Sequence, residues 1–203
     1  MQNNAPRVVL TRACRADRAD LVSGNQRSRD YHHPWAEPFT DEAGFDAWLT
    51  RSFTGPHVQF VARDAASGDI VGVVNVNDIV LGLYQGAYLG YYGMALHAGR
   101  GLMTEAVSRA VSIAFTDLGL HRLEANIQPD NRRSIALAQR LGFRKEGFSP
   151  RYLRIADVWR DHERWAILAD EWDDSGWMSG QATCRPADPP LGPADISSRR
   201  SGS

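Results

Sequence analysis

Residues 97–115, HAGRGLMTEAVSRAVSIAF, set two glycines around an arginine just ahead of a long helical pattern. From about Gly101 to Leu118, polar positions 105, 108, 109, 112 and 116 oppose Met103, Ala106, Val107, Ala110, Val111 and Ala114. That is the spacing of an amphipathic helix, and Gly119 is a natural stop after it. The stretch before it, GAYLGYYGMAL, reads as a strand interrupted by glycines, which mark a bulge or a close backbone approach. A glycine-rich opening from strand to helix leaves the first helical N–H groups pointing outward in the positive field of the helix dipole. This is either plain turn chemistry or an anion site, best matched to a phosphate or pyrophosphate. No Gly-Lys-Ser/Thr follows, so it is not a P-loop, and the full dinucleotide fingerprint is missing.

Around this feature strands and helices follow one another. Arg7 to Ala13 reads as a first strand, and Asp17 to Arg29 as a helix with Asp17 as N-cap. HHPWAEPF (His32 to Phe39) is a proline-punctuated loop before a short helix from Asp41 to about Ser52. HVQFVARD and DIVGVVNVND flank the turn AASG as a hairpin. In HRLEANI, Leu123, Ala125 and Ile127 point one way and Arg122, Glu124 and Asn126 the other. The next helix opens at Asp130 or Asn131 and closes at Gly142, and strands around FRKEGF and WRDHERWAILA complete the domain. No repeat is visible. After Trp172 the chain turns rich in Pro, Gly, Ser and Asp, so residues 1–172 are expected to form one domain and 173–203 a mobile tail, whose Trp177 and Met178 offer a docking point onto the domain.

Composition removes several function classes. Lys+Arg 23 against Asp+Glu 24 leaves a formal charge of −1, with no basic excess for a nucleic-acid backbone. Cys14 and Cys184 lie far apart without metal-ligand neighbours, which argues against a disulfide framework or a metal site and suits a reducing cytoplasm. The N-terminus lacks the apolar run of a signal peptide. Ile79 to Gly99 carries no Asp, Glu, Lys or Arg, but its glycines and tyrosines make it a poor lipid helix and better buried strands. A soluble cytoplasmic protein is expected, monomeric or homodimeric.

Three blocks, HAGRGLMTEA, HRLEANIQPDNRRSIALAQRLGFRKEGF and YLRIADVWRDHERWAIL, occur in an order and at a spacing that resemble the GNAT N-acetyltransferases. The similarity is to the ribosomal-protein-alanine (RimJ/RimL-like) branch and covers roughly Arg7 to Trp172. The resemblance implies a mixed α/β fold: a mostly antiparallel sheet of six or seven strands, splayed between strands 4 and 5, with about four helices. It implies acetyl-CoA as cofactor, its pyrophosphate on the backbone of Gly99, Arg100, Gly101, Leu102, Met103 and Thr104. Its pantetheine arm would lie in the gap where Met94, Ala95 and Leu96 leave HRLEANI, with Asn131, Arg133 and Ser134 beside it. Leu96 departs from the Gln or Arg usual at the head of the motif, and Ala138 stands where many relatives carry the tyrosine that protonates the leaving thiolate. In this branch the serine three residues after the asparagine is the proposed acid, which is Ser134 here; a capping hydroxyl is the other reading. Arg132, Arg133 and Arg140 are either phosphate ligands or solvated helix charge.

The implied chemistry is attack of a neutral amine on a thioester. An α-amine, with pKa about 7.7–8.0, is roughly a quarter neutral at cytoplasmic pH, whereas lysine near about 10.4 is neutral about once in a thousand. A protein N-terminus therefore asks little of a base. Glu124 is the preferred base, with a surface ion pair as the alternative, and Glu105 reads as solvated or capping. Asp161 and His162, in WRDHERW, close the substrate cleft or serve structure, and Trp35 packs on a peptide or plugs the core. The expected activity is acetylation of a protein N-terminus, of Ala/Ser type and on a ribosomal protein by resemblance. Acetylation of a small amine (aminoglycoside or polyamine) and coenzyme binding without catalysis are the alternatives.

Overall fold

The computed structural model describes residues 5–173. The expected tail beyond Asp173, with Trp177 and Met178, lies outside the described residues. The chain runs β1 (Val8–Arg12), α1 (Arg18–Arg27), α2 (Arg29–His32), α3 (Glu42–Thr54), β2 (Val58–Asp64), β3 (Ile70–Val80) and β4 (Gly86–Gly93). It continues with α4 (Leu102–Thr116), β5 (Arg122–Ile127), α5 (Arg132–Arg140), β6 (Arg144–Ile155) and β7 (Val158–Leu168). The fifth helix beyond the four expected is α2, a single turn inside the stretch read as helix and loop. No helix among the described residues is long and apolar enough to cross a membrane.

All seven strands join one sheet in the order β1-β2-β3-β4-β5-β7-β6. Every pairing is antiparallel except β4 with β5, which is parallel and holds only three rows: Gly86 with Arg122, Ala87 with Leu123, and Tyr88 with Glu124. Beyond those rows the strands part, leaving Leu89–Gly93 and Ala125–Ile127 unpaired with each other. This is the expected splay. Helices cover both faces of the sheet. On one face Leu123, Ala125 and Ile127 meet Ala106, Val107, Ala110 and Val111 of α4. On the other, Val61, Val73 and Met94 meet Leu21, Phe45 and Leu49 of α1 and α3.

Two helix starts follow their sequence signals. Asp41 accepts from Gly44 N at 2.7 Å and Asn131 Oδ1 from Ser134 N at 3.2 Å. Asp17 occupies the N-cap position of α1 as expected, but its side chain makes no cap bond; its carboxylate takes the Cys14 N–H at 2.9 Å and Arg63 Nη2 at 2.8 Å. The larger departure is α4, whose polar positions Glu105, Ser108, Arg109 and Ser112 are all buried. Glu105 Oε1 accepts the backbone N–H groups of Arg7 and Val8 at 2.9 and 3.0 Å, and Ser112 Oγ accepts from Trp172 Nε1 at 3.0 Å. Both ends of the domain thus close over the face that the pattern assigned to solvent. Glu105 is neither solvated nor a helix cap.

Candidate active site

The splay opens a cavity of about 370 Å³ that runs through the sheet. One wall carries Tyr91, Asn131 and Ser134, and the opposite side carries Tyr31, His32, Trp35 and His162. Asn126 and Gln128 continue the edge of β5 into it, and no Asp or Glu among the described residues lines it. Asn126 Oδ1 is buried and has no hydrogen-bond partner among the described residues, an acceptor waiting for a donor.

Outside this cavity stands the opening of α4. Gly99 and Gly101 have φ of 75° and 77°, the left-handed region where a side chain is strained. A Cβ at Gly99 would meet nothing within 4 Å, so conformation rather than crowding requires glycine there. The helical ladder begins with Glu105 N to Gly101 O at 3.3 Å, so the N–H groups of Leu102, Met103 and Thr104 precede it. Two guanidiniums flank this turn: Arg140 Nη1 donates to Thr104 Oγ1 at 3.2 Å, and Arg7 Nη1 to the Arg100 carbonyl at 3.3 Å. The Arg100 side chain turns away, 3.1 Å from His97 Nδ1 and 3.5 Å from Asp64 Oδ2. Arg133 lies on the cavity wall with its guanidinium over the Tyr31 ring, 5.3 Å from the centroid.

Of the candidates read from sequence, Met103, Asn131, Arg133, Ser134, Trp35 and His162 meet at the cavity. Glu124 does not. It sits at the last paired row, one alternation short of the gap, with Oε1 2.7 Å from Arg122 Nε and 2.9 Å from the Tyr84 hydroxyl. Asp161 is also elsewhere, accepting the Arg151 N–H at 2.7 Å within the β6–β7 hairpin. Met94, Ala95 and Leu96 do not flank the gap, because the chain has already left the sheet. Met94 is buried against Gly24 and Ser28, and Ala95–His97 form a single 3-10 turn with Leu96 79% exposed. Leu89–Gly93 edge the opening instead.

Sequence reasoning missed Tyr91, Tyr92, His32, Asn126 and Gln128. The available signal was the uncharged GAYLGYYG itself, since adjacent tyrosines in a strand face both sides of a sheet. The Ser134 hydroxyl lies 2.8 Å from that of Tyr91, and burial pushes the Tyr91 phenol up to about 12 against the opposing pull of that bond. Both cavity histidines are held below their usual 6.5, chiefly by burial. His32 Nε2–H donates to the Gly93 carbonyl at 2.9 Å. His162 Nδ1–H donates to the Arg160 carbonyl at 3.0 Å, which leaves Nε2 as an acceptor.

Comparison with known proteins fits this geometry. Residues 7–144 match the acetyltransferase (GNAT) domain family. The chain is 36% identical over 163 residues to the [ribosomal protein uS5]-alanine N-acetyltransferase of Escherichia coli, a match spanning 76% of this chain and 82% of that one. The crystal structure of the ribosomal-protein-S5-alanine acetyltransferase from Vibrio fischeri superposes with a TM-score of 0.73 at 25% identity, covering 82% of this chain and 96% of that one. RimJ of Mycobacterium smegmatis, in complex with CoA-disulfide, superposes with a TM-score of 0.72 at 26% identity, covering 82% and 90%. The chain belongs to the GNAT acetyltransferases and is an N-acetyltransferase that draws on acetyl-CoA.

Proposed function

We propose that the enzyme acetylates the α-amino group of a protein N-terminus, with a ribosomal protein as the acceptor class suggested by its relatives. The observation that carries this reading is that, among the described residues, no carboxylate lines the cavity wall. A polyamine or aminoglycoside brings several positive charges, and burying them unpaired is costly. An α-amine brings one, and a substantial fraction of it is already neutral near pH 7. A cytoplasmic setting follows from such an acceptor.

The residues present fit acetyl-CoA. The left-handed Gly99 and Gly101 bare a row of backbone N–H groups through Thr104, which with Arg140 and Arg7 would hold the pyrophosphate. Asn126 Oδ1 would accept from an N–H of the arm or of the amine. Bound there, acetyl-CoA supplies an acyl carbon that takes the amine nitrogen as the C–S bond breaks. His162 Nε2 takes the amine's proton, its tautomer fixed by the Arg160 carbonyl, and later returns it to water. Ser134 offers its hydroxyl to the departing sulfur, seated by Asn131 on the first turn of α5, where the helix dipole also favours negative charge.

The test presents acetyl-CoA with three acceptor sets and reads product by mass spectrometry. These are lysine-free peptides with Ala or Ser N-termini, N-terminally blocked peptides with an internal lysine, and spermidine. Product on the free N-termini alone is expected. Turnover of spermidine with none on peptides would sink the reading.

A further inference from the structure

The position where many GNAT enzymes carry an acidic tyrosine holds Ala138, which is buried and has no hydroxyl to give. A phenol nevertheless stands beside Ser134 on the same wall, brought there by β4. Tyr91 places its hydroxyl 2.8 Å from Ser134 Oγ and 3.3 Å from the Ser134 carbonyl oxygen. At rest the Ser134 hydroxyl donates to Tyr91, and the Tyr91 hydroxyl donates to that carbonyl over the longer distance.

We propose that Tyr91 is a positioning residue for Ser134, reversing the direction of their shared hydrogen bond as the thioester sulfur departs. This rests on the acetyl-transfer reading above. A serine hydroxyl has one hydrogen and two lone pairs, so it cannot face the sulfur while donating to Tyr91. If it simply turned, the pair would lose its bond inside a buried site. Tyr91 removes that obstacle, because its own hydrogen can swing from the longer carbonyl contact onto Ser134 Oγ. Both hydroxyls then stay bonded throughout, and a donor on Oγ polarises the Ser134 O–H toward the sulfur. No proton leaves the phenol, which burial keeps protonated. The covalent balance is unchanged: C–N forms, C–S breaks, the amine's proton goes to His162, and the thiolate takes its proton from water afterwards.

A side chain of the same shape without the hydroxyl isolates the effect. The thiol of bound CoA is titrated by its thiolate ultraviolet absorbance, without acceptor or turnover, in wild type, Tyr91→Phe, Ser134→Ala and the double variant. Wild type should hold that thiol below its free value, and Tyr91→Phe and Ser134→Ala should each raise it by about one pH unit. The double variant should match Ser134→Ala alone, because Tyr91 acts through Ser134. In turnover, Tyr91→Phe should lower kcat about tenfold with KM for acetyl-CoA unchanged. A thiol that titrates alike in Tyr91→Phe and wild type, or additive shifts in the double variant, would overturn the proposal while acetyl transfer by wild type stands. Failure of wild type to bind CoA would instead bring down the functional reading, and this pair with it.

Discussion

Glu105 illustrates how one buried carboxylate can fasten an entire strand. Its Oε1 takes two consecutive main-chain N–H groups where the chain enters β1, those of Arg7 and Val8, its Oε2 meets Arg7 Nε at 3.3 Å, and Arg109 Nη2 lies 3.7 Å from Oε1. Removing it leaves the Val8 N–H buried without an acceptor and takes a partner from a buried guanidinium. Glu105→Ala should therefore cost about 2–4 kcal/mol, a fall in Tm on the order of 10 °C. Urea and thermal unfolding check this, and a loss below about 1 kcal/mol would show that water replaces the carboxylate. Nothing in the sequence distinguishes this role from solvation, because a polar stripe on a helix looks the same whether water or the chain's own ends cover it. Glu124 taught the opposite lesson. Alternation put it correctly on the face of Asn126, but its use depended on the row at which β4 and β5 part, and no residue pattern encodes that row.

At the scale of elements, the strand–glycine–helix segment was legible because its signals are local: positive-φ glycines, helical periodicity, and a stop at Gly119. The last two strands were less so. FRKEGF marks only the start of β6, which runs to Ile155 through a register shift between Ser149 and Leu153 with Arg151 at φ 47°. Such an irregularity erases the alternation that announces a strand. The opening of α4 also makes the clearest element-level prediction. Gly101 is the N-cap of α4 at φ 77°, so an alanine there either keeps the conformation under strain or turns the bare N–H groups aside. Gly101→Ala should cost about 1–2 kcal/mol of stability and weaken CoA binding about tenfold, read by isothermal titration calorimetry. CoA bound as tightly by the variant would mean that the arginines, not the backbone, hold the pyrophosphate.

Across the whole molecule, three parallel rows join the β1–β4 half of the sheet to the β5–β7 half. Each half sends a buried histidine to the gap: His32, packed on the β4 side through the Gly93 carbonyl, and His162 from β7. Burial lowers both below 6.5 in the folded state, so the unfolded chain binds protons that the folded chain refuses. Their contribution is therefore fully present above about pH 6.5 and is lost as pH falls through the lower folded values. With two such groups the slope can approach about 2.7 kcal/mol per pH unit. Urea unfolding between about pH 7.5 and 5.5, above the range where carboxylates titrate, should show stability nearly level at first and then falling. His162→Gln should remove part of that fall and leave the part due to His32. The same substitution should slow acetyl transfer at all pH and remove the part of its acid decline that follows His162, which sets in below 6.5, leaving the part due to protonation of the amine itself. Stability that stays flat down to about pH 5.5 would mean that both histidines take protons as readily in the folded protein as in the unfolded chain, so that burial sets neither of them.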